Sequence, residues 1–263
     1  MTAMRPSHQM FLQTFMSRGI LDAKEVKLMY KQCCEQFQEH YSDNEEERRR
    51  VLAEFVRTIN SNLHPLHMEI KKGVNEDDGS NYYGLVSISE SQITKLASDY
   101  TPNELEFFKK IVGLIVEADE GSISSIEALN QTEKLEKKIS KNDAQDLLEK
   151  LQLEKWLSLT RGRVSLATRA ILELEQYIKD VYPDTAKMCN LCKKLCLKGQ
   201  GCEECGTKFH LHCASRFFRQ DEAHCPGEGC GVAWVHEIPR RDTDATQAAP
   251  PERSSQRRRK ERH

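Results

Sequence analysis

The first 185 residues alternate between helical and strand-like hydrophobic spacing, and they do so twice. Phe11, Leu12 and Phe15 mark one face of a first helix that Gly19 ends. Asp22 is placed to cap a second helix, with Val26, Leu28 and Met29 expected inward. A third runs from about Glu45 to Leu63, carrying Val51, Leu52, Phe55, Val56 and Ile59 at helical spacing, and Pro65 stops it. Met68-Glu69-Ile70, a turn rich in Asn, Asp and Gly from Asn75 to Asn81, and the run Tyr82 to Ile88 together read as a hairpin. Three helices followed by a two-stranded wing is the order of a winged-helix domain.

The order then recurs without obvious sequence identity. Asn103–Ala118 is a strongly apolar helix, Ser125–Leu129 a short second one, and Asn142 or Asp143 opens a third through Leu147, Leu148 and Leu151. Trp156–Leu159 and Val164–Leu166 flank the turn Thr160-Arg161-Gly162-Arg163, and a last helix, Ala167–Val181, ends at Pro183. The expected architecture is α+β: winged helices over residues 1–100 and 101–185, a small module over 186–239, and a disordered basic tail over 240–263.

Charge narrows what these helices do. DNA readers of this type lay a basic helix against phosphates. Glu45–Leu63 carries Arg48, Arg49, Arg50 and Arg57 but also Glu45, Glu46, Glu47 and Glu54. The tail from Arg240 holds eight Lys/Arg and four Asp/Glu, so a chain of net charge −2 has a body of −2 − 4 = −6. That argues for protein-docking surfaces and at most weak direct DNA binding. Arg257-Arg258-Arg259-Lys260 resembles an import signal, against the plain reading of a solvated charge run. The longest aliphatic run, near Ile111–Val116, is far short of a membrane span.

Residues 189–230 carry the chemistry. Cys189, Cys192, Cys202, Cys205, His210, Cys213, Cys225 and Cys230 form four pairs with spacers of 2, 9, 2, 4, 2, 11 and 4 residues. A two-residue spacer lets both side chains of a tight turn face one metal, and a longer one carries the chain to the next corner. Eight such ligands suit two structural Zn²⁺ ions. Disulfides would need an oxidising compartment, and MTAMRPSHQMFLQTFM has no apolar core of a signal peptide. Seven thiolates and two Zn²⁺ add −7 + 4 = −3 to the chain relative to neutral thiols. Cys196 and His212 lie among the ligands and could replace a neighbour, while Cys33 and Cys34 read as partly buried free thiols. Spacing alone leaves sequential and interleaved pairing of the ligands open.

The four-Cys, His, three-Cys order, the boundary segment ILELEQYIKDVYPDTAKMCNLC, the hairpin EIKKGVNEDDG and the closing WVHEIP resemble the non-SMC element one family of the SMC five–six chromosome-maintenance complex. The resemblance covers nearly the whole chain except the tail. It implies tandem winged helices, a variant RING module, a heterodimer with a MAGE-type subunit through the winged helices, and contact with a kleisin-type subunit and the SMC heterodimer. It also implies a nuclear, chromosome-associated role in DNA repair by homologous recombination.

By the same resemblance the zincs are cross-braced: Cys189, Cys192, His210 and Cys213 hold one, and Cys202, Cys205, Cys225 and Cys230 the other. A RING has no nucleophile of its own. It holds a ubiquitin-charged conjugating enzyme in a reactive orientation, and Leu191, Pro226 and Phe217 or Phe218 stand at the expected docking places. Gly231 follows the last ligand, where active RINGs often place a basic residue, and Trp234 is expected to pack on the preceding domain. A partner-activated E3 ubiquitin ligase subunit and a non-catalytic assembly subunit are the two functions that follow. A histone-tail reader of the PHD type is weaker, because no Trp lies between His210 and Cys225.

Overall fold

The computed structural model describes residues 3–88, 99–218 and 223–237. The tail from Arg240, including Arg257–Lys260, and the last residues of WVHEIP lie outside them. In the first unit, helix α1 spans Pro6–Arg18, strand β1 Ile20–Asp22, α2 Ala23–Gln36, α3 Glu45–Leu63, β2 Met68–Val74 and β3 Asn81–Ser87. The Asp22 carboxylate accepts from the backbone N–H groups of Lys24 and Glu25 at 2.7 and 2.8 Å, and the Asn44 carbonyl from those of Glu46 and Glu47. These caps satisfy amides that the helix start leaves free. Phe11, Phe15, Val26, Met29, Tyr30, Phe55, Ile59 and Ile70 fill one core.

Two expectations need correction here. Leu28 is 58% exposed. At 100° per residue it lies about 200° round from Val26, off the face that buries Val26, Met29, Tyr30 and Cys33. The wing is also a three-stranded sheet, ordered β1-β3-β2, with Ile20 opposite Gly84 and Ile70 opposite Leu85. A strand of three residues carries too little alternation to be read from sequence.

The second unit repeats the order: α4 Pro102–Glu117, β4 Ser122–Ser124, α5 Ser125–Asn130, α6 Lys141–Leu153, β5 Leu157–Thr160 and β6 Arg163–Leu166. Its sheet, β4-β6-β5, again has the last strand in the middle, and Val164, Ser165 and Leu166 are buried there. Helix α6 starts at Lys141 because the Ser140 hydroxyl accepts from the Asp143 amide at 3.1 Å.

Helix α7, Thr168–Val181, is the seam. Ala170, Leu174 and Ile178 enter the second core, while Leu172 packs with Ile20 and Val86 of the first sheet. A Cβ on Gly73 would stand 2.8 Å from Leu172, so the helix can lie this close only over a bare backbone. The Lys71 ammonium meets Glu175 across the same seam at 2.7 Å. Beyond α7 come β7 Gln200–Gly201, β8 Lys208–Phe209 and α8 Leu211–Phe217. Leu195 and Leu197 from this last segment belong to the core of the second unit.

Candidate metal centre

The eight predicted ligands come together in two groups of four. In each group the donor atoms all lie within 4.8 Å of one another: Cys189, Cys192, His210 and Cys213 in one, Cys202, Cys205, Cys225 and Cys230 in the other. The chain visits them alternately, so the pairing is interleaved. Short β7 leads into Cys202 and Cys205, β8 pairs back on it and carries the chain to His210, and Cys189 bridges to Lys208 beside them. His210 stands just before α8, which holds Cys213 one turn on.

The donor chemistry fits zinc. Cys192 Sγ is 3.4 Å from His210 Nδ1, Cys202 Sγ 3.7 Å from Cys230 Sγ, and Cys205 Sγ 3.5 Å from Cys225 Sγ. A disulfide would need about 2.05 Å. Four sulfurs each about 2.3 Å from one tetrahedral ion would lie about 3.8 Å apart. Burial opposes the Cys189 thiolate, while the backbone amides of Cys192, His210 and Leu191 favour it. The Gly227 amide donates to Cys225 Sγ at 3.3 Å. A Cβ there would stand 2.6 Å from Cys205 Sγ, which explains a glycine inside the wide last pair.

The other donors fall outside both groups. Cys196 is buried and donates to the Lys198 carbonyl at 3.4 Å. His212 stacks on His210 with ring centroids 4.9 Å apart, burial pushes its pKa down to about 4, and its buried Nδ1 has no hydrogen-bond partner among the described residues. Cys33 and Cys34 are fully buried in the first core, and burial raises the Cys33 thiol to about 11, so it is inert. A residue that sequence reasoning missed is Glu76, in the β2–β3 turn. It is only 5% exposed and lies with Cys196 and His210 in a third group of close donors. Its oxygens accept from the backbone N–H groups of Leu197 and Lys198, at 2.9 and 3.2 Å, and Oε1 is 3.2 Å from His210 Nε2. Those N–H partners account for the group without a third ion.

Leu191 and Phe217 are 43% and 44% exposed, Pro226 is exposed, and Phe218 is buried. Trp234 corrects its expected placement. It packs inside the zinc module, 5.6 Å from Phe209 and 4.8 Å from Phe218 between ring centroids, and its Nε1 donates to Gln200 at 3.1 Å. The module has so little aliphatic surface that this aromatic group is its apolar core.

Residues 8–174 match the family model described as Nse1 non-SMC component of SMC5-6 complex. The chain belongs to the Nse1 family. A RING-like domain model matches residues 189–234, from the first ligand to Trp234. Two Nse1 relatives, both named non-structural maintenance of chromosomes element 1 homolog, span most of the chain. The Xenopus laevis protein is 44% identical over 235 residues, covering 89% of this chain and 84% of its own. The Homo sapiens protein is 40% identical over 242 residues, covering 91% and 88%. A solved chain from an Nse1-Nse3-Nse4 complex is similar at a TM-score of 0.81 and 43% identity, over 90% of this chain and 100% of that one. The Nse1 and RING-like matches end and begin on either side of the C-terminal half of α7.

Proposed function

We propose that this Nse1 family member is a RING-type E3 ubiquitin ligase subunit of an SMC5-6 complex, acting on chromosomes in the nucleus in DNA repair by homologous recombination. The observation that carries the reading is the interleaved pair of four-donor groups with Leu191 and Pro226 exposed beside their ligands. Each group holds one Zn²⁺, and each ion is structural, since four protein ligands leave no position for an activated water. The protein's contribution to transfer is to orient a ubiquitin-charged conjugating enzyme over Leu191, Pro226 and Phe217.

The winged helices, over 1–100 and 101–185, dock a MAGE-type subunit that activates the zinc module of 186–239, together with a kleisin-type subunit and the SMC heterodimer. The solved relative's assembly with Nse3 and Nse4 supports such partners. Direct contact with DNA is at most weak: along α3, Arg49 pairs with Glu45 and Arg50 with Glu47, so half of the arginine charge is already neutralised within the helix.

Single-turnover discharge from a panel of ubiquitin-charged conjugating enzymes tests the reading. The chain alone, the chain with its MAGE-type partner, and a Leu191→Ala, Pro226→Ala version that keeps its zinc are compared. The expected result is discharge that rises with the partner and falls at least tenfold in the double variant. No stimulation across the panel, with zinc bound, leaves the second reading, a non-catalytic assembly subunit. Gly231 at the place of the usual basic residue favours that reading.

A further inference from the structure

We infer that Glu76 is a positioning residue for the first zinc site, delivered from the wing of the N-terminal unit to hold the ligand His210. The inference rests on the zinc reading above. His210 turns Nδ1 towards the thiols, 3.4 Å from Cys192 Sγ and 3.8 Å from Cys213 Sγ. An imidazole that ligates through Nδ1 carries its proton on Nε2, and that N–H needs an acceptor. Nε2 has two: the Leu195 carbonyl at 2.8 Å and the Glu76 carboxylate at 3.2 Å. The carbonyl sets the ring's direction. The carboxylate adds negative charge, which raises the basicity of the ligand and fixes its tautomer.

Glu76 is held for this task. It belongs to a run of three acidic residues, of which Asp77 and Asp78 are exposed and Glu76 alone is buried. A buried carboxylate is tolerated only when its oxygens are occupied. The Leu197 and Lys198 amides occupy them, and both belong to the loop that presents Leu195 to His210. Around the contact, Lys198 Nζ pairs with Asp77 at 2.7 Å and Lys194 Nζ donates to the Lys72 carbonyl at 3.2 Å. The wing tip therefore grips the zinc loop from outside while Glu76 reaches its ligand from within.

The test uses the full chain with Glu76→Gln, Glu76→Ala and Lys198→Ala variants. Bound zinc is counted by native mass spectrometry, and its release to a chromogenic chelator is followed as separate fast and slow phases. Glu76→Gln keeps the shape and loses the charge. The expected result is two zincs in each protein, with release of one about tenfold faster in Glu76→Gln and more so in Glu76→Ala. In the Glu76 variants the second zinc follows the first, because the sites are interleaved, and release from Lys198→Ala stays as in the wild type. Unchanged release in the Glu76 variants overturns the role. So does an equal effect of Lys198→Ala, because that reduces Glu76 to general docking. A wild-type chain without zinc sinks the zinc reading itself, a result distinct from all of these.

Discussion

Cys202 shows how much one atom decides at this scale. Its Sγ lies 3.7 Å from that of Cys230, and its backbone amide and carbonyl close the knuckle with Thr207 and Gly206 at 2.9 Å each. Binding a structural zinc contributes roughly 10–16 kcal/mol in small finger-like peptides, more than so small an aromatic core can replace. Because the chain alternates between the two groups, Cys202→Ser should reduce the stoichiometry from two zincs to none by native mass spectrometry. A protein that keeps one zinc and half its ordered module would show the sites to be independent. The gathering of these eight side chains into two groups was legible in the sequence because short spacers keep each pair together. Glu76 was not legible. An acidic residue in a polar turn looks like any other until a partner 121 residues away supplies the Leu197 amide.

Among elements, the seam beneath α7 is where chemistry and packing meet. Glu175 is a half-enclosed carboxylate: burial opposes its charge, but the ammonium groups of Lys71 and Lys179, at 2.7 and 2.9 Å, hold its pKa down to about 2 against an ordinary 4.5. Its stabilising contribution is therefore complete above about pH 4.5 and is lost as pH falls towards 2. Glu175→Gln should cost about 1–2 kcal/mol at neutral pH, scaled down from a fully buried pair because Lys71 is partly exposed. Denaturant titrations of variant and wild type should converge as the pH approaches 2. A constant difference across that range would show that the pair contributes nothing through charge. The long helices and both hairpins were readable here, since caps and alternating runs are local signals. Strands β1 and β4 were not: with three residues each, they exist only because β3 and β6 offer free edges. The seam itself left only Gly73 as a trace, and a lone glycine does not say what will approach it.

The whole molecule carries one tryptophan in each kind of core. Trp156 lies in the second unit with the Arg169 guanidinium 4.2 Å over its ring, and Trp234 lies among the aromatics of the zinc module. Chelation should unfold the module and leave the winged-helix cores standing. Emission from a Trp156→Phe protein, reporting Trp234, should shift to the red on chelator, while a Trp234→Phe protein should keep its blue emission. Far-UV helicity should barely change, because among the described residues α8 is the module's one helix. Loss of the Trp156 signal as well would make metal a support of the entire chain.

The grip of the wing on the zinc loop also sets an order of events. Synthesis delivers the β2–β3 turn long before Leu197 and His210 emerge, and N-terminal units fold first. The sphere of Cys189, Cys192, His210 and Cys213 therefore closes against a surface already made. Under the role proposed for Glu76, metal retention becomes a checkpoint on the integrity of the whole polypeptide: a chain with a damaged beginning would mature into a leaky zinc site, and a fragment beginning at residue 186 would be a different coordination compound from the same residues in the complete protein.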